Sequence, residues 1–328
     1  MNMLLSHLLL LSAVLAFASA ASAFLALGDV PPPLKPAWRV QITTLAQFFP
    51  CLYDWYKYPE SCKLLIKSYI YLPISAGICF GLHFVLWNIS PNLTSVAHSL
   101  LFLRSDPVIL VIGYLVAMKK VRRNDAIGVM IAMIGMVLVS FDYSRSHSSC
   151  YGDLIELAGC ASAVVYLLIG KQALDTHKFP LWSYLILVNG SGSLFSLLIS
   201  GVFYGNWDYF GWMTAEKAGY AIMLGLAPGF FGHTAINYLT KSLRPVLITT
   251  FINFEPIFGS FIRWFVGYQG IPGYFTWIGG LVMIVGNLVI TLFEDNEAKK
   301  EKNNDLDIEI LEKEAMSINE LVPSETNL

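Results

Sequence analysis

Charge is scarce in this sequence: 13% of its 328 residues are Asp, Glu, Lys or Arg, where a soluble domain carries about 25%. With 55% hydrophobic residues and a mean hydropathy of +0.59, the composition is that of a membrane protein. No basic block and no interleaving of aromatic with basic residues occurs, so nucleic acid is not an expected partner. Cys51, Cys62, Cys79, Cys150 and Cys160 contain no CxxC pair, so neither a metal site nor a disulfide framework is expected. HExxH, GxSxG, Walker and dinucleotide-binding glycine patterns are all missing. Enzyme chemistry, a bound cofactor and direct ATP hydrolysis are therefore not expected.

What fills the chain instead is apolar runs, many about as long as the 20 residues a helix needs to cross a hydrocarbon core. They cover residues 3–27, 37–56, 64–89, 93–118, 126–141, 154–173, 181–204, 219–239, 246–266 and 274–293. The expectation is an all-α polytopic membrane protein of about ten transmembrane helices. The first run offers small-x-small cleavage sites at Ala18-Ser19-Ala20 and Ala21-Ser22-Ala23. It is too long for a signal-peptide core and has no Lys or Arg before it, so retention is expected. The run 37–56 is the weakest, carrying Arg39, Gln41 and Asp54.

Loop charges test the count, because cytoplasmic loops carry the Lys and Arg excess. Alternate loops hold Lys57, Lys63 and Lys67; then Lys119, Lys120, Arg122 and Arg123; then Lys171 and Lys178; then Lys241 and Arg244. The opposite loops, 88–92, 142–150, 205–217 and 267–273, hold only Arg145 and Lys217. Both termini are thus expected in the cytoplasm. The sequons at Asn88 and Asn92 fall in a loop too short for use, and the one at Asn189 lies within a span.

One unit occurs twice. Asp106-Pro107 is followed by an apolar run, a loop, and a helix bearing Gly128 and Gly135; Glu255-Pro256 is followed likewise by Gly279 and Gly286. Seven residues separate the glycines in each pair, which puts them on one helix face. Ten spans divide into five and five, residues 1–145 and 146–293, and an odd number per half inverts the second half in the membrane. That is the plan of secondary transporters, whose substrate sites lie mid-membrane between repeats. Residues 294–328 form an acidic tail, expected to be solvated and largely disordered with a short helix over 307–316.

Ionisable groups inside spans cost about 2.5–3.5 kcal/mol or more and normally face the bundle interior. In the ninth span Thr249, Asn253, Pro256, Ser260 and Arg263 form a polar stripe, either lining a cavity or bonding across a helix interface. Glu255 falls about 200° away from Asn253, as a coupling carboxylate or one bonded to a neighbouring helix. In the fourth span Thr94, His98, Leu101 and Ser105 share a stripe flanked by Arg104 and Asp106. Arg104 either clamps an anion with its planar fork or pairs with Asp106 or Glu255. In the eighth span a Pro228-Gly229 break precedes His233 and Asn237, as in discontinuous helices that expose backbone to substrate. His233, like His83 beside Trp87, reads alternatively as a histidine bonded to a carbonyl of a neighbouring helix. Glu156 heads a stripe of small residues, as a solvated end-of-helix charge or a proton-coupling carboxylate. The candidate substrate-binding set is Arg104, His98, Thr249, Asn253, His233, Asn237 and Arg263, with Glu156 and Glu255 as coupling or structural carboxylates.

The Pro-led helix, short hairpin and glycine-bearing closing helix resemble the end of an EamA repeat of the drug/metabolite transporter superfamily. The residues that carry this are Asp106-Pro107-Val108 to Gly128 and Gly135, and Glu255-Pro256-Ile257-Phe258 to Gly279 and Gly286. The Leu-Gly-Glu turn common in that family is replaced by Ala117-Met118-Lys119-Lys120 and by Gly267-Tyr268-Gln269-Gly270. The resemblance implies a ten-helix carrier with a central cavity, moving small organic solutes such as amino acids and their derivatives, nucleotide-sugars or other metabolites.

Three readings follow: a secondary transporter working by alternating access, a non-transporting scaffold or sensor acting through its tail, and a membrane enzyme for which no nucleophile–base pair is found. Expected partners are a small-molecule substrate and the lipid bilayer, with a homodimer left open. The C-terminal Thr326-Asn327-Leu328 is too little to define a PDZ ligand.

Overall fold

Residues 3–117, 121–142, 149–205, 207–267 and 270–292 are described by a computed structural model, and among them there is no strand. The acidic tail with its expected helix and C-terminal tripeptide, and Lys119, Lys120, Arg145, Tyr268 and Gln269, lie outside the described residues. The helices are α1 (Met3–Ala18), α2 (Ala20–Ala26), α3 (Leu34–Lys57), α4 (Pro59–Tyr69), α5 (Tyr71–Ile89), α6 (Val96–Leu103), α7 (Asp106–Val116) and α8 (Arg123–Phe141). They continue with α9 (Cys150–Lys171), α10 (Leu181–Tyr204), α11 (Ala215–Leu224), α12 (Thr234–Leu239), α13 (Pro245–Ile252), α14 (Glu255–Phe265) and α15 (Tyr274–Leu292). Widened π turns cover Gln172–Thr176 and Gly225–His233.

Among the described residues, 7 helices are long and apolar enough to cross a membrane: Leu4–Ala26, Tyr71–Asn92, Arg123–Phe141, Cys150–Thr176, Leu181–Tyr204, Pro245–Phe265 and Tyr274–Leu292. Outer faces of the bundle keep large apolar side chains uncovered, Phe265 at 89% in the span Pro245–Phe265 and Leu194 at 65% in Leu181–Tyr204. Such surface is stable only against lipid. The protein is an all-α, multi-pass membrane protein. Its first apolar segment is part of the core: Leu10 and Ala13 are fully buried, and Phe17 packs on His233.

Three helix irregularities have a common chemical origin. A proline lacks the N–H that would bond four residues back, and its ring collides with the carbonyl there. Pro107 accordingly ends α6 at Leu103, and Pro256 ends α13 at Ile252, each four residues earlier. Pro228 falls inside Gly225–His233, where the helix widens instead of breaking.

The four glycines of the duplicated unit face one another. A Cβ on Gly135 would come within 2.6 Å of the Gly279 carbonyl oxygen, and one on Gly279 within 2.5 Å of the Gly135 oxygen. Gly128 and Gly286 exchange the same approach at 2.7 and 2.6 Å. Since 128 meets 286 and 135 meets 279, α8 and α15 run antiparallel with backbones in contact. Elsewhere Gly77 and Gly81 of α5 meet α10 at Val188 and Gly192, rising together, so that pair is parallel.

Asp142, just past α8, ties the end of this seam to the start of α15. Its Oδ2 accepts from the Thr276 backbone N–H at 2.6 Å and from Thr276 Oγ1 at 2.7 Å. It shares the Thr276 N–H with the Gly273 carbonyl, which accepts at 3.1 Å, and so reinforces the start of α15. Asp142→Ala is expected to lower stability by about 1 kcal/mol, read as a downward shift in thermal unfolding of the detergent-purified protein. No shift would mean that the cap contributes nothing.

Candidate functional site

The breaks in α6/α7 and α13/α14 face each other across the bundle interior. Arg104 closes α6 and Glu255 opens α14, and Arg104 Nη2 lies 2.6 Å from Glu255 Oε2. Both side chains are nearly buried, at 10% and 13% exposure. Glu255 and Asp106 each occupy the first turn of a helix that begins at its break, where the helix dipole favours a carboxylate. Asp106 Oδ1 accepts the Cys160 thiol of α9 at 2.8 Å. Of the alternatives for Arg104, the direct partner is therefore Glu255.

A cavity opens beside this pair, with about 90 Å³ accessible to the centre of a water molecule. The breaks supply Arg104, Asp106, Thr249 and Glu255, and α9 supplies an apolar wall around Val164 and Leu167. A box of rings lines much of the remainder: Phe17, Phe80, His83, Phe84, Trp87, Tyr166 and His233. His233 packs on Phe17 and Phe80 with ring centroids 4.7 and 4.8 Å away.

The candidates read from sequence separate into those the fold gathers and those it does not. Arg104, Thr249, His233 and Glu255 line the cavity. Asn237 stands one layer behind, donating to the Tyr166 hydroxyl and to the His233 carbonyl. Asn253 is fully buried, with its amide nitrogen 3.9 Å from Met133 Sδ. Ser260 donates to the Pro256 carbonyl of its own helix, and Arg263 lies further along α14, outside the lining. The ninth-span stripe thus does not form one wall. The phase carried by α13 is lost at Asn253 and Phe254, where the helix breaks.

His98 also lies away from the cavity. Its Nδ1 is 2.9 Å from Asp153 Oδ2, and Thr94 Oγ1 donates to Asp153 Oδ1 at 2.6 Å, joining the start of α6 to α9. Glu156 is not a solvated end-of-helix charge, because it is fully buried and accepts from Ser99 Oγ at 2.8 Å. The packing of α6 across the first turns of α9 covers it. His83 Nδ1 lies 3.0 Å from the Gly159 carbonyl, as the interhelical alternative expected. His233 does not follow that alternative, since its buried Nδ1 has no hydrogen-bond partner.

Arg39 of α3 escaped the sequence reading as a site residue. It is 2% exposed, lines the cavity, and holds its guanidinium carbon 4.4 Å from the Phe84 ring centroid. A signal was present: Arg39, Thr43, Gln47, Cys51 and Asp54 recur at steps of four and three along α3. Thr43 Oγ1 donates to the Gly225 carbonyl at 2.8 Å, Gln47 accepts from Asn189, and Asp54 accepts from the backbone of Trp182 and Ser183. Gly225 is required at this contact, because a Cβ there would meet Ile42 side-chain carbon at 2.5 Å. The widened Gly225–His233 segment therefore seats α3 and sets Arg39 at the cavity.

No family model matches the sequence, and no curated protein is similar to it. Among solved structures, one described only as the crystal structure of a protein superposes with a TM-score of 0.72. The match covers 89% of this chain and 98% of the other at 15% identity, a likeness of fold alone.

Proposed function

We propose that the protein is a secondary transporter that moves a small organic metabolite by alternating access. The observation that carries this is the position of the cavity, at the meeting point of two Pro-broken helices joined by the Arg104–Glu255 ion pair. Irregular backbone inside a membrane bundle is tolerated where it lines a cavity, and transporters place their sites at such breaks. In this reading 34–57, 96–116 and 215–239 also span the bilayer, giving ten spans in two inverted repeats, 1–145 and 146–293. Helix directions support that count: α8 and α15, spans five and ten, are antiparallel, whereas α5 and α10, spans three and seven, are parallel. The EamA resemblance of the duplicated unit points the same way, and the tail from 294 would be cytoplasmic.

The test is uptake into proteoliposomes of labelled amino acids, nucleotide-sugars and organic cations, with and without a pH gradient. Saturable uptake of one class is expected, and it should persist after deletion of residues 294–328. Absence of flux for every class, from protein shown to be folded, would favour the scaffold reading instead.

A further inference from the structure

Arg39 is the cation of the cavity to which, among the described residues, no carboxylate is hydrogen-bonded. Arg104 is held by Glu255, and Asp106 takes the Cys160 thiol. Among the described residues Arg39 forms no hydrogen bond and no ion pair; its neighbours are the faces of Phe84 at 4.4 Å and Phe24 at 5.8 Å. Ring faces hold a guanidinium by the aromatic quadrupole, yet they occupy none of its five N–H donors. A charge placed this deep is costly, and in membrane proteins such a group marks a ligand or ion pathway. The space in front of it is bounded mainly by carbon: Phe17, Phe80, Trp87, Val164 and Leu167.

We infer that the solute is a small monocarboxylate with an apolar or aromatic body, its carboxylate bound by the Arg39 fork and its body held in the ring box. A planar guanidinium matches a planar carboxylate with two parallel hydrogen bonds. The open donors of one planar guanidinium are matched by the two oxygens of one carboxylate. A phosphoryl dianion would bring a second charge into the same low-dielectric space with no partner, and a neutral solute would leave the guanidinium unsatisfied. This inference rests on the transporter reading of the same cavity, so the experiment measures binding and flux separately.

Isothermal titration of the full chain in lipid nanodiscs is the test, with phenylacetate, its neutral isostere phenylacetamide, and benzyl phosphate. Wild-type protein should bind phenylacetate saturably, and the amide and the phosphate roughly tenfold or more weakly. Arg39→Gln should weaken phenylacetate by about 10- to 100-fold and leave the amide unchanged, with Arg39→Lys in between. Equal binding of acid and amide by the wild type overturns the inference without any variant having to fold. So do tighter binding of benzyl phosphate, no saturable binding of phenylacetate, and an Arg39→Gln protein that binds the acid normally. Uptake in proteoliposomes separates the two ideas. Arg39-dependent binding with no flux supports the anion site and sinks the transporter, whereas flux of a neutral or cationic solute untouched by Arg39→Gln sinks the anion site alone.

Discussion

Arg104→Ala is expected to destabilise the protein by about 3–5 kcal/mol, the cost of leaving a buried charge without its partner. Glu255 would remain at the start of α14 at 13% exposure, with its ion-pair contact to Arg104 removed. Glu255→Ala should cost a similar amount, because Arg104 would then lose its bonded carboxylate; its Nε already has no hydrogen-bond partner. The double variant should be less damaged than the two singles added together, by about 1–3 kcal/mol. Denaturant titration of the purified protein measures all three. Strict additivity would show that the pair does not hold the two breaks together. Because the same contact joins helices from both duplicated units, the proposed transporter function would have flux fall in each single variant and return in part in the double one.

The second large effect is at the glycine seam. Gly135→Ala places a methyl group 2.6 Å from the Gly279 carbonyl oxygen and 2.5 Å from Met283 Cγ. The side chain can turn away, but the carbonyl belongs to a helix and cannot. Overpacking of this kind costs about 1–3 kcal/mol, and Gly135→Ala with Gly286→Ala should cost more by pushing α8 off α15 at both contact points. Gly113→Ala is the control: it sits inside α7, where a Cβ would meet nothing within 4 Å. A neutral or slightly stabilising result is expected there, up to about 1 kcal/mol. Thermal unfolding of the variants in one detergent decides the matter; equal behaviour of Gly135 and Gly113 would remove the seam as a structural element.

Much of the bundle was legible because its causes are local. A charge content of 13% and runs of about 20 apolar residues leave few options but membrane helices. A proline acts on the residue four before it, so the ends of α6 and α13 are consequences of Pro107 and Pro256 alone. The seven-residue glycine spacing likewise defines a smooth face within its own helix. That Arg104 would pair with Glu255 was one of two or three options open to it, since each lies beside a proline break in a separate copy of the unit.

Residues distant in sequence were assigned by packing. Phase along 246–266 predicts one polar wall only if the helix is continuous; the break at Asn253 and Phe254 leaves Thr249 on the cavity and sends Asn253, Ser260 and Arg263 elsewhere. Glu156 reads as a helix-end charge until α6 lies across it. Arg39 sits in the least apolar of the runs, where one more polar residue carries little information. Its meaning comes from Phe84 of α5, the cavity-facing breaks of α6/α7 and α13/α14, and guanidinium donors to which, among the described residues, no carboxylate is bonded. The amino-acid order alone thus settles where helices form, where they break and which faces are smooth, because sterics and hydrogen bonding act over a few residues. Which smooth faces meet, and which buried charges find partners, depends on contacts among segments far apart in the chain, so they emerge only once the helices are packed.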